Sequence, residues 1–226
     1  MSGNVPSKNL FSVFPERLAA QLFGHAQPRT LATDEVLFLA GDPGDGCYRV
    51  EQGLLKVSII APSGAERILA IVGPGGIVGE LSTIDGLPRS ASVSAVRDSE
   101  LSFISRAAFE AFAKQHAEVY QHLVTLLAAR LRGADSVLAA GSFLPLKGRV
   151  ARALLDLADA FGQDVGQGRI LIRQKVTQSD VAAMAGIARE NVSRILNDWI
   201  RDKLLSRLAG YYCLENKARL ECEGTI

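Results

Sequence analysis

Hydrophobic positions change their spacing along the chain. From about Glu35 to Ile104 they come in short β-branched and apolar runs, Val36-Leu37-Phe38-Leu39, Leu55 to Ile60 and Ile68 to Val72, and in the strict alternation Ala91-Ser92-Val93-Ser94-Ala95-Val96. Turn-forming clusters separate the runs: Gly41 to Gly46, Pro62-Ser63-Gly64, Gly73-Pro74-Gly75-Gly76 and Asp85-Gly86-Leu87-Pro88. Evenly spaced short strands with such turns predict a small antiparallel barrel or roll. A short helix over Glu80 to Ile84 is expected to interrupt it.

After Arg106 the period becomes helical and stays so to about Ser142. Val119, Leu123, Leu127 and Leu131 recur at four-residue steps, joined by Leu126 and Leu138. A small roll offers no obvious cover for so long a stripe, so the spacing predicts a homodimer in which a second copy buries it. The competing arrangement packs the helix back on its own roll. Gly133 interrupts this stretch at a cost of about 0.8–1.0 kcal/mol relative to alanine. It reads either as a site of close helix packing or as part of a segment, Gly133 to Ser136, that becomes fully helical only with a ligand in place.

From Pro145 the pattern reads helix, short strand, two helices and a hairpin. Leu146 to Phe161 turns Val150, Leu154, Leu155 and Leu157 inward, and Arg169 to Arg173 is strand-like. With Gly186 as a turn glycine, Ala182 is small where two helices would cross, and Val181, Ala185, Ile187, Val192 and Ile195 are apolar toward a core. Thr177 is placed to cap the first helix, with Asp180 in the capping-box position. The second helix then starts near Ala188 and presents Arg189, Glu190, Ser193 and Arg194 outward. Arginine pairs bidentately with guanine O6 and N7, and glutamate accepts from cytosine N4, so this is a base-reading set on a helix-turn-helix. Leu205 to Leu214 forms a hairpin beside it, a wing that would bring Arg207 and the tyrosines to the sugar-phosphate backbone.

Charge supports that division. The net charge of +1 over 226 residues splits into 12 Lys+Arg against 14 Asp+Glu up to residue 144, and 13 against 10 after it. Between Arg169 and Arg207 the basic residues number 8 and the acidic ones 4, the excess that a phosphate-facing surface needs. A 48% hydrophobic composition supplies core for two compact domains. No apolar run reaches the length of a membrane span, and Met1 to Pro15 lacks the order of a secretory signal, so a cytoplasmic protein without membrane contact is expected. Cys47, Cys213 and Cys222 have no C-x-x-C spacing and read as ordinary thiols. His25, His116 and His122 lack ligand neighbours, so no metal site is expected.

The densest chemistry lies at Gly79-Glu80-Leu81-Ser82, followed by Arg89-Ser90-Ala91. Free N–H groups at a helix start, one carboxylate and one guanidinium together suit a phosphate and a ribose hydroxyl. The plainer reading is a salt bridge between Glu80 and Arg89 across a turn. No nucleophile with an adjacent base is evident, so the pair looks like a binding set and an enzyme is not expected.

Both halves together resemble the Crp/Fnr group of bacterial transcription regulators, over about Leu10 to Leu214. Gly73-Pro74-Gly75, Gly79-Glu80-Leu81 and Pro88-Arg89-Ser90-Ala91 are similar to the phosphate-binding cassette of cyclic-nucleotide domains, and Arg189 to Arg194 is similar to the family's recognition helix. The resemblance implies an α+β protein: a cyclic-nucleotide-binding antiparallel β-roll of jelly-roll type over 1–117, a long dimerisation helix over 118–144 and a winged helix-turn-helix over 145–226. It implies that Glu80 accepts from the ribose 2′-OH, Arg89 pairs with the cyclic phosphate, Ser90 donates to it, and N–H groups of Gly79, Leu81 and Ser82 complete the cradle. Thr177, Gln178, Arg189, Glu190, Ser193, Arg194 and Arg207 become the expected contacts to double-stranded DNA, and RNA polymerase an expected partner. No catalytic cofactor is implied; the effector expected is cAMP, with cGMP as the second choice. The chain departs from the cAMP-sensing pattern where a Thr-Ser pair normally meets adenine, placing Ala134-Asp135 there. Asp135 is able to accept from adenine N6 or from guanine N1 and N2. The alternative functions are a cyclic-nucleotide module that regulates a protein partner, and a regulator of this type with another effector or none.

Overall fold

Two long bent strands organise the first half. A computed structural model describes residues 14–225; residues 1–13, which hold the start of the first expected domain and most of the Met1 to Pro15 reading, and Ile226 lie outside the described residues. The chain divides into two compact units at the boundary between Arg132 and Gly133.

The first unit opens with α1 (Glu16–Phe23), β1 (Gln27–Leu31) and β2 (Val36–Phe38). It continues through β3 (Gly46–Ile60), β4 (Glu66–Val72), β5 (Ile77–Val78), α2 (Glu80–Asp85), β6 (Ser92–Ser105), α3 (Arg106–Gln115) and the first part of α4 (Glu118–Phe143). Its sheet is antiparallel, in the order β1-β6-β3-β4, with β2 on β6 and β5 on β3. The pairing of β3 with β6 shifts register between Val50 and Leu55, where Gly53 has φ +99° and stands against Ser99 too closely for a Cβ. Bulges of this kind bend paired strands, and the bend rolls the sheet. One core cluster gathers Leu31, Val50, Leu55, Val72, Val78, Val93, Ala95 and Leu101. A second joins α1, α3 and the start of α4 to the roll through residues such as Leu22, Ile77, Ile104 and Phe109.

The helix expected from Arg106 to Ser142 is broken. His116 ends α3 at φ −129°, ψ 68°, and α4 begins at Glu118. The predicted seam is corrected as well: Val119, Leu123 and Leu126 are buried in the roll's own second cluster. The exposed apolar positions of α4 are Tyr120, Val124, Leu131, Val137, Leu138 and Phe143. Gly133 is helical, and a Cβ added there meets nothing within 4 Å, so close packing within the chain does not explain it.

The second unit holds the end of α4, then α5 (Leu146–Phe161), β7 (Gly162–Asp164), β8 (Ile170–Ile172), α6 (Gln178–Ala185) and α7 (Arg189–Arg201). A hairpin of β9 (Leu205–Leu208) and β10 (Tyr211–Leu214), and α8 (Lys217–Gly224), complete it. The sheet order is β7-β8-β10-β9. Helices α5, α6, α7 and α8 and this sheet enclose one core that includes Val150, Leu154, Val181, Val192, Trp199, Tyr212 and Leu220. Arg149 donates to the carbonyls of Gly141 and Leu144, holding the last turn of α4 onto α5. No helix among the described residues is long and apolar enough to cross a membrane.

Candidate ligand and DNA-recognition sites

Gly79 is the pivot of the first site. It takes φ +81° as the N-cap of α2, and an added Cβ would run into the Arg89 guanidinium and lie 3.1 Å from the Gly46 carbonyl. Only glycine satisfies both the left-handed backbone and that approach. No side chain caps α2, so its first N–H groups have no helical acceptor. Ser82 is buried against Gly44, where another Cβ would not fit.

Arg89 is anchored at backbone and side chain. Its N–H donates to the Asp42 carbonyl at 2.8 Å, and its carbonyl accepts from Gly41 N at 2.8 Å. Nη1 donates to the carbonyls of Gly46 at 2.8 Å and Gly79 at 3.0 Å, and Nη2 to Asp45 Oδ1 at 2.7 Å. The guanidinium carbon stands 4.2 Å from the centroid of the Phe38 ring, within cation–π range. The side chain is 2% exposed against 66% for Asp45, so a buried cation meets solvent through one exposed carboxylate. Arg89 Nε is buried without a hydrogen-bond partner.

Glu80 has a different partner. Its Oε1 accepts from Arg130 Nη1 on α4, while Arg130 Nη2 donates to the Ile77 carbonyl at 2.8 Å. The Glu80 side chain is 2% exposed and its Oε2 has no partner. Burial pushes its carboxyl above the usual carboxylate range, with Arg130 and then Arg89 pulling the other way. Glu80 and Arg89 therefore do not form the simple bridge that spacing allowed. Their unpaired Oε2 and Nε fit a ligand that carries both a hydroxyl and an anionic group. Cys47, beside them, is closed to thiolate chemistry: burial and then Glu80 push its thiol up to about 12.

The second site is built from short-range signals. Thr177 Oγ1 accepts from Asp180 N at 3.1 Å and Thr177 N donates to Asp180 Oδ2 at 2.9 Å, the reciprocal capping box. Gly186 closes α6 at φ 65°, a left-handed cap that starts the turn. Helix α7 buries Val192, Ile195, Leu196 and Trp199, which leaves Arg189, Glu190 and Arg194 exposed and Ser193 half-buried. Residues four apart share a face, so Glu190 lies with Arg194 and Arg189 with Ser193. Gln178, the first residue of α6, is half-buried, and Arg207 on the wing is exposed. Tyr212 is corrected: at 1% exposure it belongs to the core, not to the wing surface.

A family model described as a cyclic nucleotide-binding domain matches residues 28–116, and one described as a Crp-like helix-turn-helix domain matches residues 148–223. The CRP-like cAMP-activated global transcriptional regulator of Mycobacterium tuberculosis is 34% identical over 194 residues, covering 84% of this chain and 86% of that protein. The chain belongs to the Crp/Fnr family. The cyclic AMP receptor protein of Thermus thermophilus is 37% identical over 183 residues, 81% of each chain. The FixK2 structure from Bradyrhizobium japonicum shares the fold, with a TM-score of 0.78 at 22% identity, covering 89% of this chain and 98% of that one.

This Crp/Fnr protein is thus a ligand-responsive, cyclic-nucleotide-binding and DNA-binding transcription regulator, from a family of regulators and not of enzymes. Its first unit brings Gly79, Glu80, Leu81, Ser82, Arg89 and Ser90 together around α2, with Ser90 exposed. Asp135 is an exposed residue of α4 in the second unit, beside Ser136, whose Oγ accepts from Arg152 Nη2 at 2.7 Å. Sequence reading missed Asp45, Phe38 and Arg130. In the sequence Gly41 to Gly46 carries only a turn signal, and no local pattern distinguishes Arg130.

Proposed function

We propose that cAMP is the effector, held by Arg89 and Ser90 at its phosphate, by Glu80 at its ribose hydroxyl and by the N–H groups of Gly79, Leu81 and Ser82. The observation that carries this reading is the pair of buried, unpartnered atoms, Glu80 Oε2 and Arg89 Nε. Such atoms are costly without a partner, and a cyclic nucleotide offers a hydroxyl donor and phosphate acceptors to both. The names of the Mycobacterium and Thermus relatives point to the same nucleotide. In this scheme residues 1–117 hold the effector, 118–144 form the dimerisation helix and 145–226 read DNA.

Asp135 reads the base. Calorimetric titration with cAMP and cGMP decides its part: Asp135→Ala is expected to change the ratio of the two affinities, and an unchanged ratio removes Asp135 from the site.

The homodimer forms along α4 through Tyr120, Val124, Leu127, Leu131 and Leu138, whose steps of four, three, four and then a full heptad of seven follow a coiled-coil seam. A two-fold axis there sets two α7 helices about 34 Å apart, one turn of DNA. Thr177, Gln178 and Arg207 contact the backbone, and Arg189, Glu190, Ser193 and Arg194 face base edges. RNA polymerase is the protein partner at the promoter. Ligand shifts the dimer between two arrangements, and the gain in DNA affinity is bounded by the ligand's differential affinity for them. Replacing Glu190 with alanine is expected to relax discrimination at one G·C pair by about 1–3 kcal/mol. Selection of binding sites from a randomised duplex pool, with and without nucleotide, measures it.

A further inference from the structure

The wing carries an apolar tip where a DNA-binding hairpin has every opportunity to be charged. Ala209 at φ 50° and Gly210 at φ 89° make a two-residue turn with both residues left-handed, a geometry that favours Asn, Asp or Gly at its first position. Leu208 pairs with Tyr211, and Arg207 with Tyr212. Residues opposite each other share a face. Leu205, Tyr212 and Leu214 belong to the core, so Leu208 and Tyr211 lie on the other face. Leu208 is 70% exposed, and between it and Tyr211 no side chain offers a hydrogen bond.

Two cations flank this tip. Lys175 Nζ stands 5.7 Å from the centroid of the Tyr211 ring, and its stem passes 3.8 Å from where a Cβ on Gly210 would be. The exposed Arg207 guanidinium is 5.2 Å from the Tyr212 ring. In the same unit Arg169, Arg201 and Lys217 are all in ion pairs. Lys175 and Arg207 are in none among the described residues. A connection of only three residues joins α7 to the hairpin, so the hairpin springs from the C-terminal end of the helix proposed to read bases.

We propose that Leu208 is a nonpolar contact to the deoxyribose walls of the minor groove flanking each half-site, with Lys175 and Arg207 seated on the phosphates at either side. The groove's floor and phosphates are polar, but its walls are sugar C–H surface, which rewards an apolar side chain by burial. The cations supply the salt-dependent part and Leu208 a part that salt does not screen. This rests on α7 entering the adjacent major groove.

The test uses the full chain and a duplex selected from a randomised pool by the wild-type protein, in one form extending several base pairs past each half-site and in another trimmed at the half-site edges. Leu208→Ser is expected to weaken binding to the extended duplex by about tenfold, which is about 1.4 kcal/mol, with an unchanged slope of log affinity against log salt and no effect on the trimmed duplex. Lys175→Gln is expected to lower that slope by about 1. Wild-type affinity of Leu208→Ser for the extended duplex overturns the proposal, and so does an equal loss on both duplexes. Because Leu208 is exposed, a thermal midpoint matching wild type shows that the variant is folded; Leu208→Ala gives an independent reading. If the wild type selects no duplex at all, the DNA reading itself falls, a result distinct from a silent Leu208.

Discussion

Arg89→Ala is expected to abolish the response to cyclic nucleotide while leaving weak, salt-sensitive DNA binding in place. The guanidinium is held by Gly46, Gly79 and Asp45 and backed by Phe38, so it needs little ordering when an anion arrives. Removing one partner of a buried, hydrogen-bonded charge pair costs about 2–5 kcal/mol, roughly 30- to several-thousandfold in affinity. Arg89→Lys does not rescue it, because a point charge replaces a planar fork that serves three acceptors at once. Asp45 is mostly exposed and loses little when its partner goes. Titration calorimetry with cAMP reads the ligand loss and a gel shift reads the DNA side. Full nucleotide-dependent operator binding by Arg89→Ala would remove the cassette from the mechanism.

Arg130→Ala should produce the largest loss of stability, about 3–5 kcal/mol at neutral pH, because it strands the Glu80 carboxylate in a site where it is 2% exposed. The pH dependence separates this cause from simple loss of packing. Burial raises the Glu80 pKa in the folded state, so the group's favourable contribution is complete below the ordinary value of about 4.3 and is lost as pH rises through the raised folded value. Without Arg130 that raise grows. The deficit of Arg130→Ala in urea midpoint should therefore be smaller near pH 5 than near pH 8, and Glu80→Gln in the same chain should recover part of it at the higher pH. A deficit independent of pH, unaffected by Glu80→Gln, would mean that the stem of Arg130 matters and its charge does not. The pair also joins the cassette to α4, so whatever engages Glu80 acts on the long helix through one side chain.

The helix-turn-helix was legible almost residue by residue. Thr177, Asp180, Gly186 and the face of Val192 and Ile195 act over three or four residues, and capping and helical periodicity are local. The roll was legible as a class but not in extent. Strands β3 and β6 run well beyond the predicted Leu55 to Ile60 and Ala91 to Val96, since their bulges and Gly53 look like turns when pairing is unknown. Strand β1, Gln27–Leu31, passed unnoticed because four of its five residues are exposed and no alternation marks it. Helix α8 was missed for want of an apolar period in eight residues.

Residue order alone thus marked out the two-module plan and the outward set on α7, because capping and periodicity act within one turn or one repeat, and it singled out Glu80 and Arg89 as the proposed binding pair. Three-dimensional packing settled the rest: which charge meets which, and which side of α4 stays open. Glu80 finds Arg130 across 50 positions and Arg89 finds Asp45 across 44. Pairings at that range leave no local trace, since they are set by where whole elements dock, and the same docking turned Val119 and Leu123 inward and left Val124, Leu131 and Leu138 outside.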